Sequence, residues 1–355
     1  MTVVHVVVPD GIDDPARPSG GNTYDRYLCR ELAALGWTVH EHAVRGSWPA
    51  PDAASLAALT GVVERIPDHA VALLDGLIAS TAPGVLVSQA GRLRLVVLVH
   101  MPLGHRPADD EAGDVRARER AVLSAVAAII TTSAWTRRRL IELYGLPADR
   151  LHVAEPGVEA GNLANGTAAG GALLCVAAVT FDKGHDVLLD ALERMSDLSW
   201  HCTCVGSLDR DPVFVEGVRR RLIDGRLGDR VDFPGPRTGS ALDRTYAAAD
   251  VIVLASRAET YGMVVTEALA RGLPVVATEV GGLADALGHG AGRLRPGLLV
   301  SPDDPAALAA ALRAWLDDAE LRGRLRRAAR ERRQSLSRWS ATASVVAGVL
   351  AGATR

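Results

Sequence analysis

Residues 251–278, VIVLASRAETYGMVVTEALARGLPVVAT, hold the pattern that decides the fold. An apolar run, Val251–Ala255, is followed by a polar turn, a helical stretch over Gly262–Arg271 and a second apolar run, Pro274–Thr278. Both runs are short and rich in β-branched residues, which is typical of strands buried on both faces. A strand, a helix and a second strand in this order predict a parallel βαβ unit.

The same alternation extends in both directions from this unit. In the first half of the chain we predict a loop over Asp10–Asn22, a helix over Tyr24–Leu35 that Gly36 ends, and strands at Val3–Pro9, Thr38–Val44, Ala70–Leu74, Leu95–His100, Ala128–Thr132 and Leu151–Ala154. In the second half the remaining strands are predicted at Ala172–Val179, Trp200–Val205, Val231–Phe233 and Leu298–Val300, and the remaining helices at His185–Met195, Phe214–Arg226, Leu242–Ala248, Pro305–Leu316 and Leu321–Arg333. Strands that alternate with helices predict an α/β fold with doubly wound parallel sheets.

The segment Pro156–Gly171 interrupts this rhythm. It is rich in Gly, Ala and Asn and has no periodic apolar face. We therefore predict a first Rossmann-like domain over residues 1–158, a linker over 159–171 and a second Rossmann-like domain over 172–335. Ligands of such sheets lie beyond the carboxyl ends of the strands, so the site is expected in a central cleft that the two domains face.

The composition narrows the class of protein. A chain of 355 residues fits two domains of ordinary size, and 48% hydrophobic with 23% charged residues allows packed cores. Because aromatic residues make up only 4%, Val, Leu and Ala must fill those cores. The formal net charge of -3 argues against binding of nucleic acid through a global basic field.

The cysteines and the N-terminal segment favour a cytoplasmic protein. Cys29, Cys175, Cys202 and Cys204 are scattered, and no further Cys or His pair stands at zinc-finger spacing from the last two. We expect reduced thiols in the core. The run Met1–Val8 lacks a basic leading region and is predicted as a strand, not a signal peptide. No apolar run reaches the length of a membrane span.

The turn and helix after Ala255 contain the most informative polar residues. The backbone N–H groups of Tyr261, Gly262, Met263 and Val264 at the predicted helix start form an anion site, and Gly262 lets a phosphate approach. Glu259 in the turn can accept hydrogen bonds from sugar hydroxyls, and Glu267 on the helix can accept them from a ribose diol. The alternative makes Glu259 a residue near the helix dipole and Glu267 a solvated side chain.

This stretch resembles the E-x7-E element of the retaining glycosyltransferases of family 4, which have the GT-B fold. The similarity includes Glu259–Gly262 (ETYG) and Glu267–Ala277 (EALARGLPVVA). Two glutamates at this spacing are a weak pattern, whereas the whole run is specific. The resemblance covers nearly the whole chain, is firmest over residues 172–302 and weakest over 44–92, and implies a GT-B arrangement.

Other segments resemble the same family in the same order. Gly20-Gly21-Asn22 is similar to the glycine-rich loop that approaches the donor diphosphate. Lys183-Gly184 is similar to the phosphate-binding pair after the first strand of the second domain. Gly206, and Gly235 with Pro236, stand where such enzymes place loops around the nucleotide base.

The two ends of the second domain also match the family, with two departures elsewhere. Residues 156–159 resemble the stretch before the linker, and residues 336–355 resemble the final helix that returns to the first domain.

The family usually has an Arg five residues before the Lys that corresponds to Lys183, where this chain has Ala178. Arg257 is a candidate replacement, since it precedes Glu259 in the same turn. Trp37 replaces a common His at a structural position.

Two further candidates end strands of the first domain. A histidine in the place of His100 is often a capping or core residue, but the resemblance places it beside the donor sugar. Asp75, before Gly76, either contacts sugar or acceptor hydroxyls or forms an Asp-Gly turn.

Several charged runs are predicted to be solvated. Asp209-Arg210-Asp211 has the form of a metal-binding D-x-D of another glycosyltransferase fold, but it lies in a loop of the second domain, and we expect no metal. Arg137–Arg139 and the group of Arg116, Arg118 and Arg120 are expected on solvated helix faces. A surface for an anionic acceptor or a membrane is the less favoured interpretation.

Together the residues and the resemblance predict a retaining, metal-independent glycosyltransferase. It would move a hexosyl unit from a nucleoside diphosphate sugar to an acceptor hydroxyl, with UDP favoured and GDP or ADP as alternatives. His100, Lys183 and Glu259 are the candidate catalytic residues, Lys183 also binding the diphosphate, and Glu267 the candidate ribose ligand. No cofactor is expected beyond the nucleotide sugar, and the acceptor is expected to be a small molecule or a lipid.

Three alternatives remain from the sequence. A sugar phosphorylase or a nucleotide-sugar epimerase could use the same fold and cleft. The Arg missing at Ala178 is a hint towards a non-catalytic nucleotide-sugar binding protein.

Overall fold

Two parallel β-sheets of six strands each organise the chain. A computed structural model describes residues 2–105, 110–291 and 293–353. By its contacts the chain divides into unit 1, with Met1–Asp13, Ser19–Gly157 and Ser337–Arg355, and unit 2, with Asp14–Pro18 and Val158–Leu336.

The sheet of unit 1 has the strand order β2-β1-β3-β4-β5-β6. Its strands are β1 (Val3–Pro9), β2 (Thr38–Val44), β3 (Val71–Asp75), β4 (Arg94–Val99), β5 (Ala128–Thr131) and β6 (Leu151–Val153). Its helices are α1 (Gly20–Ala34), α2 (Ala53–Glu64), α3 (Gly76–Ala79), α4 (Pro83–Leu86), α5 (Asp110–Ala125), α6 (Ala134–Tyr144) and, from the end of the chain, α14 (Trp339–Ala353). All neighbouring strands pair in parallel.

The sheet of unit 2 has the strand order β12-β11-β10-β7-β8-β9. Its strands are β7 (Ala172–Val176), β8 (His201–Val205), β9 (Val231–Gly235), β10 (Val251–Leu254), β11 (Val275–Thr278) and β12 (Gly297–Val300). Its helices are α7 (His185–Glu193), α8 (Pro212–Asp224), α9 (Gly239–Ala248), α10 (Met263–Ala270), α11 (Leu283–Leu287), α12 (Pro305–Asp317) and α13 (Ala319–Arg333). The predicted fold class, two doubly wound α/β sheets, is confirmed.

Aliphatic side chains fill both cores, as the low aromatic content requires. All four residues of β10 and of β11 are buried, which explains their continuous apolar sequence. Large aromatic residues are few. One of them, Trp315, is fully buried and donates from Nε1 to the carbonyl of Gly170 at 2.8 Å. Among the described residues, none of the helices combines the length and apolar character that a membrane crossing requires.

Helix α14 belongs to unit 1 because aromatic contacts fix it to α1. The Trp339 ring stacks on Tyr27 with centroids 4.7 Å apart and meets the edge of Tyr24 at 5.3 Å. The Tyr24 hydroxyl donates to the carbonyl of Ala154 at 2.9 Å, and the Thr342 hydroxyl to that of Glu155 at 2.7 Å. These contacts tie the end of the chain to the strand end after β6.

The start of α1 differs from the prediction. The helix begins at Gly20 rather than Tyr24, and Ser19 caps it by accepting a hydrogen bond from the Asn22 N–H at 3.1 Å. Gly20, Gly21 and Asn22 therefore form a helical first turn and not a loop. The sequence suggests a loop here because two glycines and an asparagine are poor helix formers. The N-cap hydrogen bond offsets the free-energy cost of placing them in the first turn. At the other end the helix stops at Ala34, and Leu35, the last residue of the predicted helix, is its C-cap and 47% exposed.

Residues 159–171 contain no helix or strand and are held along unit 2 by hydrogen bonds. The buried Asp250 accepts from the Thr167 N–H and hydroxyl, each at 2.5 Å, and from the Ala172 N–H at 2.9 Å. Arg326 also pairs with Asp250 at 2.8 Å. One buried carboxylate thus satisfies donors from three separate segments of unit 2.

We predict that Asp250→Ala lowers the free energy of unfolding of unit 2 by roughly 2–5 kcal/mol, because it leaves buried N–H donors and one cation without their acceptor. Asp243→Ala is the matched control: Asp243 pairs with Arg271 but its side chain is 63% exposed, so the expected loss is below about 1 kcal/mol. Urea unfolding of both variants measures the difference. Equal losses would contradict the assigned role of Asp250.

Candidate active site

The strand order places the candidate site of unit 2. Neighbours β7 and β10 lie where the winding of the sheet reverses, and the loops beyond their carboxyl ends diverge there to form a ligand crevice. The loop after β7 contains Lys183 and Gly184, and the loop after β10 runs from Ser256 to Gly262. The Arg257 N–H donates to the Asp182 carbonyl at 2.8 Å and so holds the two loops together.

An ion pair joins these loops. The Lys183 ammonium lies 2.5 Å from Oε1 of Glu259, and the Ser256 hydroxyl donates to the same oxygen at 3.2 Å. The side chains are 28% and 14% exposed, so the pair is partly shielded but reachable from solvent. We call Lys183, Ser256 and Glu259 the Lys183 cluster.

Lys183 is also the only lysine among the 355 residues. All the other basic side chains that contribute to Lys+Arg 39 are arginines. An ammonium is a compact point charge, whereas a guanidinium is a planar fork, so a single lysine at a strand end indicates a position that needs the smaller cation. This count is a signal in the sequence that the motif analysis did not use.

Two glycines shape the cluster. Gly184 has φ +63°, and a Cβ there would overlap the Ala255 carbonyl oxygen. Gly262 has φ +90° and is the N-cap of α10, so the helix begins at Met263, one residue after the predicted start at Gly262. The N–H groups of Met263 and Val264 lie in the first helical turn, where anions are favoured. Tyr261 is buried in the core of unit 2.

Glu267 lies on α10, two turns beyond its start. Its Oε2 accepts a hydrogen bond from the buried Tyr246 hydroxyl at 2.8 Å. Burial raises the pKa of Glu267, although the Tyr246 hydrogen bond and Arg271 oppose this effect. The alternative of a fully solvated Glu267 is wrong, since the structure fixes one carboxylate oxygen and half-buries the residue.

Arg257, the candidate replacement for the arginine missing at Ala178, has several partners in the structure. Its guanidinium forms a two-pronged pair with Asp186 at 2.9 Å and also donates to Asp303 at 2.6 Å and to the Phe181 carbonyl at 2.8 Å. The group also lies 4.1 Å from the Phe181 ring centroid. With its donors engaged in this way Arg257 fixes the loop after β7.

The residues predicted to surround the nucleotide base lie together at the carboxyl ends of β8 and β9. Gly206 follows β8 and donates from its N–H to the Gly235 carbonyl at 3.2 Å. Gly235 is the last residue of β9, has φ +80° and precedes Pro236. A Cβ on Gly206 would overlap the Ala177 carbonyl, so the chain passes close to the end of β7 there.

Unit 1 has its own cluster of polar side chains near the point where the winding of its sheet reverses, between β1 and β3. His100 follows β4, Asp75 ends β3, and Asp25 reaches them from α1; we call these three the His100 cluster. Nε2 of His100 lies 2.9 Å from Oδ1 of Asp25. The ring also packs against Gly21, where a Cβ would come within 3.2 Å.

Asp25 is a residue that the sequence analysis missed. It stands in a helix among polar neighbours, and no motif marks it, yet it is only 3% exposed. Asp75 is equally buried and accepts from the Leu77 N–H at 2.6 Å, which is the turn-forming alternative for this residue. Burial and the charge of Asp25 raise the pKa of Asp75 to about 7.

Glu119 lies among the arginines of α5 but is not a solvated side chain. It is fully buried and accepts from the Ser80 hydroxyl at 2.9 Å, the Leu103 N–H at 3.0 Å and the Gly104 N–H at 2.9 Å, as well as from the Tyr144 hydroxyl. It therefore fixes the loop that follows His100.

The basic runs and the D-x-D triplet also have structural roles that the prediction of solvated faces omitted. Arg116 donates to the Gly104 carbonyl at 2.7 Å, and Arg137 to the Leu151 and Ala148 carbonyls at 3.0 and 2.7 Å. Asp211 caps α8 by accepting from the Phe214 N–H at 3.1 Å. The run over Arg116–Arg120 is thus partly committed to loop contacts.

The cysteines are free thiols, with Cys175, Cys202 and Cys204 buried and Cys29 half-buried. Cys175 and Cys204 are register partners in β7 and β8, and the buried His185 lies near them, with its Nε2 3.7 Å from Sγ of Cys175. These three side chains could hold a soft metal ion by their atom types and spacing, since the ligand atoms lie within 4.8 Å of one another.

Two family models match the chain. The model described as "Glycosyl transferases group 1" matches residues 170–332, and "Glycosyltransferase Family 4" matches residues 18–161. Between them they leave only the two chain ends and a short segment between the sheets.

Curated relatives agree with these matches. The D-inositol 3-phosphate glycosyltransferase of Pseudarthrobacter chlorophenolicus is 34% identical over 242 residues, which are 64% of this chain and 56% of that protein. The mannosylfructose-phosphate synthase of Agrobacterium fabrum is 29% identical over 233 residues, 61% of this chain and 50% of that protein. The chain thus matches about half the length of these relatives.

Solved structures share the fold over nearly the whole chain. A sucrose-phosphate synthase from Thermosynechococcus elongatus has a TM-score of 0.80 at 24% identity, covering 99% of both chains. HepE from Anabaena, solved with UDP-glucose, has a TM-score of 0.77 at 17% identity, covering 99% of this chain and 100% of that one. With both family models and a GT-B fold, the chain belongs to the glycosyltransferases of family 4.

Proposed function

We propose that the chain transfers a hexosyl unit from a nucleoside diphosphate sugar to an acceptor hydroxyl. The Lys183 cluster is the observation that carries this proposal: a single ammonium at the switch point of unit 2, held against a carboxylate beside the N-terminus of α10. UDP is the favoured nucleotide, with GDP and ADP as alternatives. We further propose that the configuration at the anomeric carbon is retained and that no metal takes part.

The donor diphosphate is assigned to Lys183 and to the first turn of α10. Without a donor, Glu259 neutralises the ammonium at 2.5 Å. A diphosphate offers Lys183 a stronger anion, so its arrival draws the ammonium away and leaves Glu259 to accept hydrogen bonds from the sugar. Because the ammonium and the helix N–H groups are already in place, the charge on the leaving diphosphate is stabilised without rearrangement.

The ribose is assigned to Glu267. The Tyr246 hydroxyl holds Oε2, so Oε1 is oriented before a ligand binds. Two vicinal hydroxyls can donate to a carboxylate that is fixed in this way. The close pair of Gly206 and Gly235 supports a backbone-lined place for the base at the adjacent strand ends.

We propose a small, phosphorylated acceptor. The names of two relatives contain inositol 3-phosphate and mannosylfructose-phosphate, and that of a structural neighbour contains sucrose-phosphate. In the proposed chemistry the leaving phosphate helps to deprotonate the acceptor hydroxyl on the same face of the sugar. The protein then acts mainly by positioning both substrates and stabilising the departing charge.

The donor is identified by thermal unfolding with UDP, GDP, ADP and dTDP and with their sugar conjugates, without added metal. A nucleotide at 100 times its Kd stabilises the protein by about 2.7 kcal/mol, which raises Tm by several degrees. Turnover of the stabilising sugar nucleotide with phosphorylated polyols and sugars then tests transfer. Stabilisation by none of these nucleotides would contradict the proposal, and donor binding without transfer to any acceptor would favour a binding protein.

We predict that Glu267→Ala raises KM for the donor with a smaller effect on kcat, because the ribose lies away from the bond that breaks. Loss of one charge-assisted hydrogen bond corresponds to roughly tenfold to a hundredfold in KM. Tyr246→Phe is the graded comparison, since it releases Oε2 but keeps the carboxylate. Unchanged donor kinetics in Glu267→Ala would rule out the ribose assignment.

We predict that Lys183→Met lowers kcat by roughly tenfold to a hundredfold, because the cation acts on charge that grows as the diphosphate leaves. Methionine keeps the length of the side chain and removes the ammonium. Arg220→Met on α8, at an exposed cation remote in sequence from the cluster, is the control and is expected to keep wild-type turnover. Steady-state kinetics that do not separate the two variants would disprove the role of Lys183.

A further inference from the structure

We infer that Asp25 is a positioning residue that keeps His100 as a charged imidazolium, with Nδ1–H available to donate to a sugar hydroxyl. Only the identity of that ligand rests on the proposed function. The arrangement of Asp25, Asp75 and His100 can be tested without turnover.

The geometry fixes the His100 ring on several sides. Nε2 is engaged by Oδ1 of Asp25 at 2.9 Å, so Nδ1 is the ring nitrogen that a ligand can use. The Tyr24 ring meets the imidazole edge-on with centroids 5.2 Å apart, and the imidazole lies against Gly21, where a Cβ would come within 3.2 Å of it. The His100 side chain is 15% exposed while that of Asp25 is 4% exposed, so the imidazole is the accessible end of the pair.

One oxygen of Asp25 indicates that the cluster holds a further proton. Oδ2 of Asp25 is buried and has no hydrogen-bond partner among the described residues. One carboxyl oxygen of Asp75, one of Asp25 and one ring nitrogen of His100 lie within 4.8 Å of one another. A proton on Asp75 relieves the repulsion between two buried carboxylates. Such a proton also keeps the negative charge on Asp25, next to the imidazole.

The electrostatics agree with this arrangement. Burial lowers the pKa of His100, but the charge and hydrogen bond of Asp25, with a further contribution from Asp75, raise it to about 8. Burial and the neighbouring Asp25 hold the pKa of the Tyr24 hydroxyl well above its usual value, so Tyr24 stays neutral. At pH 7 His100 is therefore a cation and a hydrogen-bond donor, and it does not act as a general base.

The direct test follows the His100 ring nitrogens by two-dimensional ¹H–¹⁵N NMR as a function of pH. The wild-type protein is expected to titrate near pH 8, and Asp25→Asn to titrate at a lower pH, because the charge and hydrogen bond of Asp25 are lost and only Asp75 remains to oppose the effect of burial. Glu31→Gln, on the same helix, is the matched control and should leave the titration unchanged. A wild-type His100 that titrates at or below about 6.5 would overturn the inference even if Asp25→Asn fails to fold.

The pH profile of kcat/KM gives a second readout. Activity is expected to fall as pH rises through about 8 in the wild type, where His100 loses its proton, and at a lower pH in Asp25→Asn. An unshifted alkaline limb in Asp25→Asn would contradict the positioning role. Displacement of the His100 proton by Zn²⁺ or Mn²⁺ in the wild type but not in Asp25→Asn would also overturn it, by making the cluster a metal site.

The two proposals fail separately. If His100 titrates as expected but no sugar nucleotide binds, the proposed function fails and the role of Asp25 stands. If a sugar nucleotide binds and is turned over while His100 titrates near its ordinary value, the role of Asp25 fails and the proposed function stands.

Discussion

The ion pair between Lys183 and Glu259 is the contact on which the account of unit 2 depends. It joins the loops that follow β7 and β10, and it exists because the sheet reverses its winding between those two strands. Gly184 allows the first loop to pass against Ala255, and Arg257 fixes that loop through Asp186 and Asp303. The scaffold therefore holds a cation and a carboxylate in contact at the place where a doubly wound sheet binds its ligands.

The two units use the same electrostatic device with different groups. In unit 2 an exchangeable ammonium faces a carboxylate, whereas in unit 1 an imidazole faces Asp25 with Asp75 behind it. In each pair the opposite charge of the partner offsets part of the desolvation cost of a charge in a partly buried position. In the proposed function a ligand exchanges with or adds to one of these existing pairs.

Sequence patterns predicted the strands, their parallel alternation and the fold class because buried strands must read as continuous apolar runs. The motif containing Glu259 and Glu267 was found for the same reason, since it directly follows such a run. What the sequence could not supply were contacts across distant segments. Asp25 looks like any polar helix residue, and Glu119 like part of a charged surface, until tertiary packing buries them. The pairing of Arg257 with Asp186 and Asp303 is likewise visible only in the structure.

Lys183 is the only lysine of the chain, so the central claim can be measured at a single side-chain signal. Protein labelled with ¹³C at the lysine ε-carbon is titrated with the nucleoside diphosphate that stabilises it most, and with the matching nucleoside. The account predicts that the diphosphate shifts the lysine resonance, that the nucleoside leaves it in place, and that Glu259→Gln changes its position before any ligand is added. A diphosphate that binds without moving this resonance would contradict the assignment of Lys183 to the leaving group.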